Sequence, residues 1–195
     1  MSDIPYEAHG GSLVNLMVDD ERAELLKTIA QDLPDVTLND RQLCDLELLA
    51  TGAFSPLEGF MLRSDYESVL DRMRLQDQTV WPIPVCLDVS ESVAAHLEAG
   101  QSVAIRDPEG FMLAVMHVED IWPVDRKKEA MRVFETVDTS HPGVAYLFHK
   151  AGDYYLGGRL EVVSLPLHFD FKQLRMPPEE VRNIYTKLGW QRVVG

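Results

Sequence analysis

The chain has 195 residues, of which 46% are hydrophobic and 26% are charged, a composition that indicates one folded domain and excludes a disordered chain. Thirty-two acidic and eighteen basic residues give a formal charge of −14. This charge disfavours nucleic acid and anionic membranes as partners, because both attract lysine and arginine. The two cysteines, Cys44 and Cys86, are too few for a disulfide framework and fit a reducing compartment.

Two features missing from the sequence bear on location. No apolar run reaches the roughly 18 residues that cross a membrane. The first residues also lack the basic and apolar stretches of a signal peptide. We therefore expect a soluble, cytoplasmic protein without a membrane partner.

The first predicted elements are a short strand and a helix. The apolar residues 13–18 favour a strand. A helix follows from Asp19 or Asp20, where acidic side chains suit the helix dipole, and Pro34 ends it.

A second helix is predicted over residues 39–51. Asn39 and Gln42 have the spacing of a capping box. Gly52 lies where a left-handed residue commonly ends a helix. This is the helix with the best-marked ends in the sequence.

The middle of the chain predicts a β-hairpin. Asp107, Pro108 and Gly110 have the order of a type I turn, which would join strands over 102–106 and 111–118. The other elements predicted on either side of it are a helix from Ser64 with Glu67 as its capping-box partner, an extended segment over 81–89, helices over 90–97, 125–134 and 144–150, a strand over 154–163 and an irregular segment over 166–175.

One charged run and one glycine pair stand out in the second half. The basic residues 126–128 lie between Asp125 and Glu129, and we interpret this run as a solvated helix face. The pair Gly157-Gly158 interrupts a predicted strand and indicates a bulge or a close backbone approach.

The end of the chain carries the prediction with the largest consequence. Pro177, Pro178 and the acidic residues after them start a helix that ends at Gly189, and the β-rich run Trp190–Gly195 follows. A helix that delivers a strand with no later strand to pair with predicts a chain that ends inside a larger α/β unit, just before its ligand site. We expect residues 178–194 of the isolated chain to be poorly protected from hydrogen exchange.

The residues alone predict no catalytic, cofactor-binding or metal-binding site. No two of the six histidines are three or four residues apart, and the chain has no P-loop, G-x-G-x-x-G or G-x-S-x-G motif. Arg41 and Arg175 could each bind an anion, although an ion pair is the better interpretation for both. Asp45 and Glu47 are two residues apart on a predicted helix, so their carboxylates diverge and form no acid–base pair.

A family resemblance is carried by short motifs in a fixed order rather than by any one of them. The motifs are Arg41–Leu49, Phe54–Leu57, Gly59–Met61, Trp81–Val85, Arg106-Asp107, His141–Val144, Gly157-Gly158, His168, Asp170-Phe171, Leu174-Arg175, Pro178 and Gly189-Trp190. Together they span nearly the whole chain, which resembles the amino-terminal domain of ATP sulfurylase (sulfate adenylyltransferase).

The resemblance implies an α+β fold with a PUA-like pseudo-β-barrel and flanking helices over residues 1–168. Residues 169–195 would then form a linker helix and the first strand of a nucleotide-binding catalytic domain. In that family the catalytic domain makes adenylyl sulfate and pyrophosphate from ATP and sulfate, in sulfate assimilation or sulfur oxidation. ATP with Mg²⁺ is expected for the parent enzyme, and no cofactor for this chain, because the family's nucleotide-binding motif follows the strand that ends at Gly195. The implied role is scaffolding without activity, with the missing catalytic domain as partner and a homo-oligomer compatible with it.

Three residues depart from the family pattern. Ala53 stands where the family has glycine, and Glu135 replaces the glycine of a Phe-Gly-Thr turn. Met176 stands where the family has threonine before the last helix, which predicts a weaker cap there.

Three functions are compatible with these observations. The first is the amino-terminal domain of a sulfate adenylyltransferase, with or without a fused adenylylsulfate kinase. The second is a stand-alone PUA-like module that binds RNA or protein, although the charge of −14 argues against RNA. Salt-sensitive RNA retention in a filter-binding assay would reveal it. The third is a complete small enzyme, which pyrophosphate release from the purified chain would reveal.

Overall fold

The structure is a computed structural model that describes residues 8–194. The described helices are α1 (Asp20–Ile29), α2 (Asp40–Ala50), α3 (Arg63–Arg72), α4 (Glu91–Ala94), α5 (Arg126–Val133), α6 (Pro142–His149) and α7 (Pro178–Leu188), with a 3₁₀ turn at Lys172–Leu174. The described strands are β1 (Asp35–Thr37), β2 (Gly59–Phe60), β3 (Leu87–Val89), β4 (Ser102–Arg106), β5 (Met112–Pro123) and β6 (Tyr154–Val162). No helix within residues 8–194 has the length and apolar character to span a bilayer.

The chain divides into two compact units, each made of more than one stretch of sequence. The terminal unit contains the described residues up to Glu58, together with Ala104–Val115 and those from Leu160 onward. The central unit contains Gly59–Val103 and Met116–Arg159. The innermost side chains of the terminal unit include Leu26, Leu46, Leu49 and Ile105, and those of the central unit include Phe60, Met61, Leu87 and Leu156.

Six strands form one mixed sheet with the order β1-β4-β5-β6-β2, and β3 also pairs with β6. β1 runs parallel to β4, with Val36 opposite Ile105. β2 runs antiparallel to β6, with Phe60 opposite Gly158. The mixture of helices and strands confirms the predicted class, and the closure of the sheet into a pseudo-barrel stays a prediction.

The predicted hairpin of β4 and β5 is confirmed. The Gly110 N–H donates to the carbonyl of Asp107 at 3.0 Å, and the Asp107 carboxylate accepts from the Phe111 N–H at 2.7 Å. Both bonds close within five residues, so the turn depends on its own sequence rather than on distant packing.

Both helices of the N-terminal region begin where the sequence predicts. The reciprocal hydrogen bonds of the Asn39–Gln42 capping box are present, and Gly52 has a left-handed φ of 82°. α1 ends at Ile29, before Pro34, because Gln31 and Asp32 donate to carbonyls three residues back rather than four. The strand predicted over 13–18 reduces to a single bridge between Met17 and Val162.

The capping box predicted at Ser64 and Glu67 is wrong. α3 begins one residue earlier, at Arg63, and no side chain at the N-cap position caps it. The carboxylate of Asp120, 57 residues away, accepts from the Arg63 N–H at 3.0 Å. Glu67 instead pairs with the Arg63 guanidinium at 2.9 Å, so a distant residue has replaced the local cap.

Only part of the extended segment and part of the short helix predicted before the hairpin form regular secondary structure. Within 81–89 only Leu87–Val89 forms a strand, β3. Within 90–97 only Glu91–Ala94 is helical, and the Ser90 hydroxyl accepts from the Val93 N–H at its start.

The glycine pair of β6 allows the close backbone approach that the sequence predicts. A Cβ atom on Gly157 would overlap the carbonyl oxygen of Met61, and one on Gly158 would overlap the carbonyl oxygen of His117. Any side chain at these positions would force neighbouring backbone apart.

The basic run at 126–128 is only partly the solvated face that its sequence indicates. Lys127 and Lys128 are exposed, but Arg126 is not a free surface charge. Its guanidinium donates to the carbonyls of Leu147, Ala151 and Gly152 at 2.8–3.0 Å and pairs with an aspartate in the same loop. Arg126 therefore caps the C-terminal end of α6.

The last helix is confirmed, whereas the strand predicted after it is wrong. α7 ends at Gly189, which has a left-handed φ of 67°, and no side chain caps its first turn, as Met176 predicts. Residues 190–194 form no strand, and Gly195 lies outside the described residues. A strand requires hydrogen bonds from a neighbour, and no described strand pairs with these residues. Trp190 instead stacks on Tyr185, with ring centroids 5.9 Å apart.

Candidate interaction surface

The charged residues that the sequence singles out lie in separate ion pairs. Arg41 pairs with Asp45 one turn along α2, while Glu47 pairs with His168 Nε2 at 2.7 Å. Arg175 forms a longer pair, at 3.4 Å, with the carboxylate five residues before it. The interpretation of both arginines as ion-pair residues is confirmed, and so is the divergence of Asp45 and Glu47.

The structure shows no place for a metal ion among residues 8–194. No three histidines, cysteines, aspartates or glutamates converge there in a group that could hold one. Several histidines make local contacts instead: His117 bonds to the Ser102 hydroxyl at 3.0 Å and His96 to the Ser92 carbonyl at 2.7 Å.

The central unit buries a carboxylate among three aromatic rings, and we call these four residues the Glu129 cluster. Glu129 on α5 is 8% exposed and accepts hydrogen bonds from Tyr66 on α3 and Tyr155 on β6, each at 2.8 Å. Trp122 on β5 packs against both tyrosines, with centroid separations of 5.7 and 5.8 Å. The cluster therefore joins two helices and two strands.

The phenols of the Glu129 cluster stay protonated. Burial raises the pKa of Tyr66 and Tyr155 far above the usual tyrosine range, and the Glu129 carboxylate raises both pKa values further. Each hydroxyl is thus held as a donor to that carboxylate. Since both tyrosines are only 5% exposed, the cluster gives no substrate access to its oxygens, and its role is structural.

Sequence reasoning missed this cluster. It named Glu129 only as an acid beside the basic run, because the two tyrosines that bury it lie 63 and 26 residues away in the chain. The only local signal is the apolar residue Ala130 next to Glu129. The structure buries Ala130 fully, so that side of α5 faces inward.

The C-terminal segment (residues 165–194) exposes a large share of the apolar surface of the protein. Of the eighteen large apolar side chains described as more than a third exposed, nine lie in this segment. They are Leu167, Phe169, Phe171, Leu174, Met176, Leu188, Trp190, Val193 and Val194. A contiguous exposed apolar patch is typical of an interaction surface, so this segment is the candidate region for one.

Within this segment, three exposed polar side chains of α7 border a pocket of its own unit. Glu179, Glu180 and Asn183 line a pocket of about 270 Å³. The remaining lining residues are Leu13, Asn15, Met17, Thr51, Leu165 and Pro177. Three large apolar side chains therefore share the wall of this pocket with the polar residues of α7.

The other side of α7 is its apolar face. Residues three, four and seven apart share one side of an α-helix, and Val181, Ile184, Tyr185 and Leu188 have this spacing. These four side chains are half-buried or exposed, and no residue of α7 is buried. An amphipathic helix normally buries such a stripe fully, whereas here Val181, Ile184 and Tyr185 are half-buried and Leu188 is 55% exposed.

The C-terminal segment also differs from the rest of the chain in charge. It contains five of the eighteen basic residues but only three of the thirty-two acidic ones, so its net charge is +2 and that of the remaining residues is −16. Within α7 the two signs are separated, with Glu179 and Glu180 in the first turn and Lys187 in the last. An acidic surface, or a helix of opposite polarity, would complement this arrangement.

Comparisons with known proteins support the family resemblance. The family model for the PUA-like domain matches residues 6–165. Sulfate adenylyltransferases from Gibberella zeae and Kluyveromyces lactis are 45% and 43% identical over 190 residues, which are 95% of this chain but 33% and 38% of those proteins. The chain thus spans about a third of the length of these curated relatives and corresponds to their N-terminal part.

A solved structure shows the same relationship in three dimensions. The hexameric APS kinase from Thiobacillus denitrificans is 35% identical, with a TM-score of 0.76 over 95% of this chain and 32% of that one. The family model covers more than half of the described residues. The chain therefore belongs to the PUA-like domain family and is homologous to sulfate adenylyltransferases.

Proposed function

We propose that this chain is the amino-terminal domain of a sulfate adenylyltransferase, which forms adenylyl sulfate and pyrophosphate from ATP and sulfate in sulfate assimilation or sulfur oxidation. The observation that carries the proposal is 45% identity, over 95% of this chain, to an enzyme about three times as long. Identity of this extent, from the first helix through α7, supports a shared place in the enzyme and not only a shared fold.

The role proposed for the chain is scaffolding. Residues 1–168 form the PUA-like body, whose strands close into a distorted barrel, and residues 169–195 carry the linker helix and the connection to the catalytic domain. The apolar stripe of α7 supports this division, because no residue of the helix is fully buried, whereas an amphipathic helix normally buries such a stripe.

The chemistry belongs to the catalytic domain in this proposal. Transfer of an adenylyl group needs charge-stabilising groups around the phosphates, and ATP would bring Mg²⁺ with it. Residues 8–194 contain no cluster of metal ligands that could contribute. We therefore expect the chain alone to be inactive, and we expect a cytoplasmic location for the whole enzyme.

A chimaera tests the proposal. This chain replaces the matching 190 residues of the Kluyveromyces lactis enzyme, and pyrophosphate release that depends on both ATP and sulfate is measured. We expect release from the chimaera, and none from this chain alone or from the K. lactis enzyme without its matching residues. The Lys128→Ala chimaera, changed at an exposed position, is the matched control and should keep full activity.

Two results would contradict the proposal. One is a chimaera that is folded and monodisperse but inactive, since this chain would then not replace the domain it resembles. The other is release of pyrophosphate from the isolated chain, which would make it a complete enzyme.

A further inference from the structure

The chain that leads into α7 lies almost entirely in water, and we call its residues 167–177 the connector. Every residue of the connector is exposed except His168, which is half-buried. Four of its apolar side chains are each at least 69% exposed, namely Leu167, Phe169, Phe171 and Leu174. The connector therefore buries little apolar surface that could hold it on the terminal unit.

The polar contacts of the connector are local, with one exception. The two hydrogen bonds of its 3₁₀ turn and the pair of Arg175 with Asp170 join residues within it. In the described chain, one polar contact joins the connector to an element outside the C-terminal segment, the ion pair of His168 with Glu47 on α2. The His168 Nε2 atom lies 2.7 Å from a Glu47 carboxylate oxygen, and the two side chains are 28% and 24% exposed.

The backbone of the connector is strained close to this ion pair. Phe171 has a left-handed φ of 48°, a conformation that is unfavourable for a bulky side chain. Such a conformation persists only where surrounding contacts hold it. The ring of Phe171 is 69% exposed and provides little packing, whereas the ion pair of His168 lies three residues earlier.

We propose that the connector exchanges between a docked and a released state, and that the ion pair of His168 with Glu47 sets this equilibrium. In the docked state the pair fixes the connector on α2. In the released state the pair is broken, the strain at Phe171 is relieved, and the connector is held only by its two ends. Its exposed apolar side chains can then move toward a partner. The inference concerns this chain alone and does not depend on the proposed catalytic parent.

A single ion pair can control this equilibrium because the opposing terms are small. Ordering a loop costs conformational entropy, which contacts with the rest of the protein must offset. The described chain provides the connector with no second ion pair or hydrogen bond outside the C-terminal segment. Loss of the pair should therefore release the connector and leave the terminal unit folded.

Trypsin measures the released population, because Lys172 and Arg175 are exposed and lie inside the connector. When a segment opens and closes faster than it is cut, the cleavage rate follows the population of the open form. The 195-residue chain is digested briefly, and mass spectrometry quantifies the fragments that end at these two residues. We expect them to form at least about fivefold faster in His168→Ala and in Glu47→Gln than in the wild type.

Two variants are matched controls for the loss of charge. Asp45→Asn breaks another ion pair of α2, and Asp170→Asn breaks the pair within the connector. Both should be cut in the connector at the wild-type rate. Cleavage after Lys27, on α1 of the same unit, reports unfolding of the terminal unit and should be equal in all variants.

The double variant with Glu47→Gln and His168→Ala isolates the pair from its two residues. It should be cut in the connector about as fast as the faster single variant, because the second substitution removes a contact that is already lost. Two residues that act separately would instead give accelerations that multiply.

Four outcomes would overturn the inference. Wild-type rates in both single variants would mean that the pair does not hold the connector. Accelerations that multiply in the double variant would mean that the two residues do not act through each other. An equal acceleration in either control would assign the effect to any lost charge. A matching rise in cleavage after Lys27 would mean that the terminal unit unfolds. None of these outcomes bears on pyrophosphate release by the chimaera.

Discussion

The Glu129 cluster and the C-terminal segment depart in opposite ways from the rule that polar groups face water and apolar groups avoid it. The central unit buries a carboxylate and two phenols, but each has a hydrogen-bond partner. The C-terminal segment exposes nine large apolar side chains to water, each by more than a third. Buried polar groups with partners stabilise a closed unit, whereas exposed apolar surface remains available for association. The Glu129 cluster therefore stabilises the fold of the central unit, whereas the C-terminal segment offers apolar surface for association.

The largest expected effect is the loss of the buried carboxylate. Glu129→Leu leaves the hydroxyls of Tyr66 and Tyr155 buried without an acceptor. Each unpaired hydroxyl costs roughly 1–3 kcal/mol, so the free energy of unfolding should fall by about 3 kcal/mol. Urea denaturation followed by circular dichroism measures this change.

The control for this variant lies one residue earlier. Lys128→Ala changes an exposed side chain on α5 and should alter the free energy of unfolding by less than about 0.5 kcal/mol. A fall of under about 1 kcal/mol in Glu129→Leu would show that the phenols find other partners, and the cluster would then not stabilise the central unit.

Alkaline pH should weaken the Glu129 cluster next. Burial and then the Glu129 carboxylate raise the folded-state pKa of Tyr66 and Tyr155 above the ordinary value of 10.0. Above that pH the unfolded chain loses these two protons while the folded chain keeps them, so the free energy of unfolding falls as pH rises. The slope is roughly 1.4 kcal/mol per pH unit for each tyrosine, and the stabilisation is fully present below pH 10.

Urea midpoints between pH 9 and about pH 11 test this expectation. In Tyr155→Phe the free energy of unfolding should fall less steeply with pH, because one of the two buried phenols is gone. Tyr185→Phe changes a half-buried ring in the C-terminal segment and should keep the wild-type slope. Equal slopes in all three proteins would remove the buried phenols as the cause.

Local signals predicted most of the helix ends and turns, because their partners lie a few residues apart. Asn39 with Gln42, Asp107 with Gly110, and Asp125 at the start of α5 all act within one turn of chain. The misplaced features depend on distant residues. Asp120 caps α3 from 57 residues away, and no spacing rule connects it to Arg63.

The candidate surface was predictable only in part. The sequence locates α7 and its stripe, because the two prolines, the acidic first turn and Gly189 are local signals. It does not reveal that Glu179, Glu180 and Asn183 border a pocket, because that pocket depends on how residues 13–17 and 165 pack in three dimensions. The strand predicted after α7 failed for the same reason, since β-rich composition cannot supply the neighbouring strand that pairing requires.

A smaller effect on the free energy of unfolding is expected at Glu135. This residue lies in the central unit, like the Glu129 cluster, but its backbone is strained. Its φ of 56° is left-handed, a conformation that favours glycine. Glu135→Gly should raise the free energy of unfolding by about 0.5 kcal/mol, since relief of strain exceeds the added entropy of the unfolded chain. Glu135→Ala keeps a Cβ atom and should show no gain in urea denaturation. A loss of stability in Glu135→Gly would mean that the side chain itself contributes contacts.

The smallest effect on stability should come from the region with the most exposed apolar surface. Leu188 is 55% exposed, so Leu188→Ser removes little buried area from the folded monomer. At protein concentrations where the chain is monomeric, its free energy of unfolding should stay within about 0.5 kcal/mol of the wild type. Leu46→Ala, at a fully buried position of the same unit, should lose about 2–5 kcal/mol in the same urea titration. A loss in Leu188→Ser approaching that of Leu46→Ala would place α7 inside the core of its own unit, and its apolar face would no longer be available to a partner.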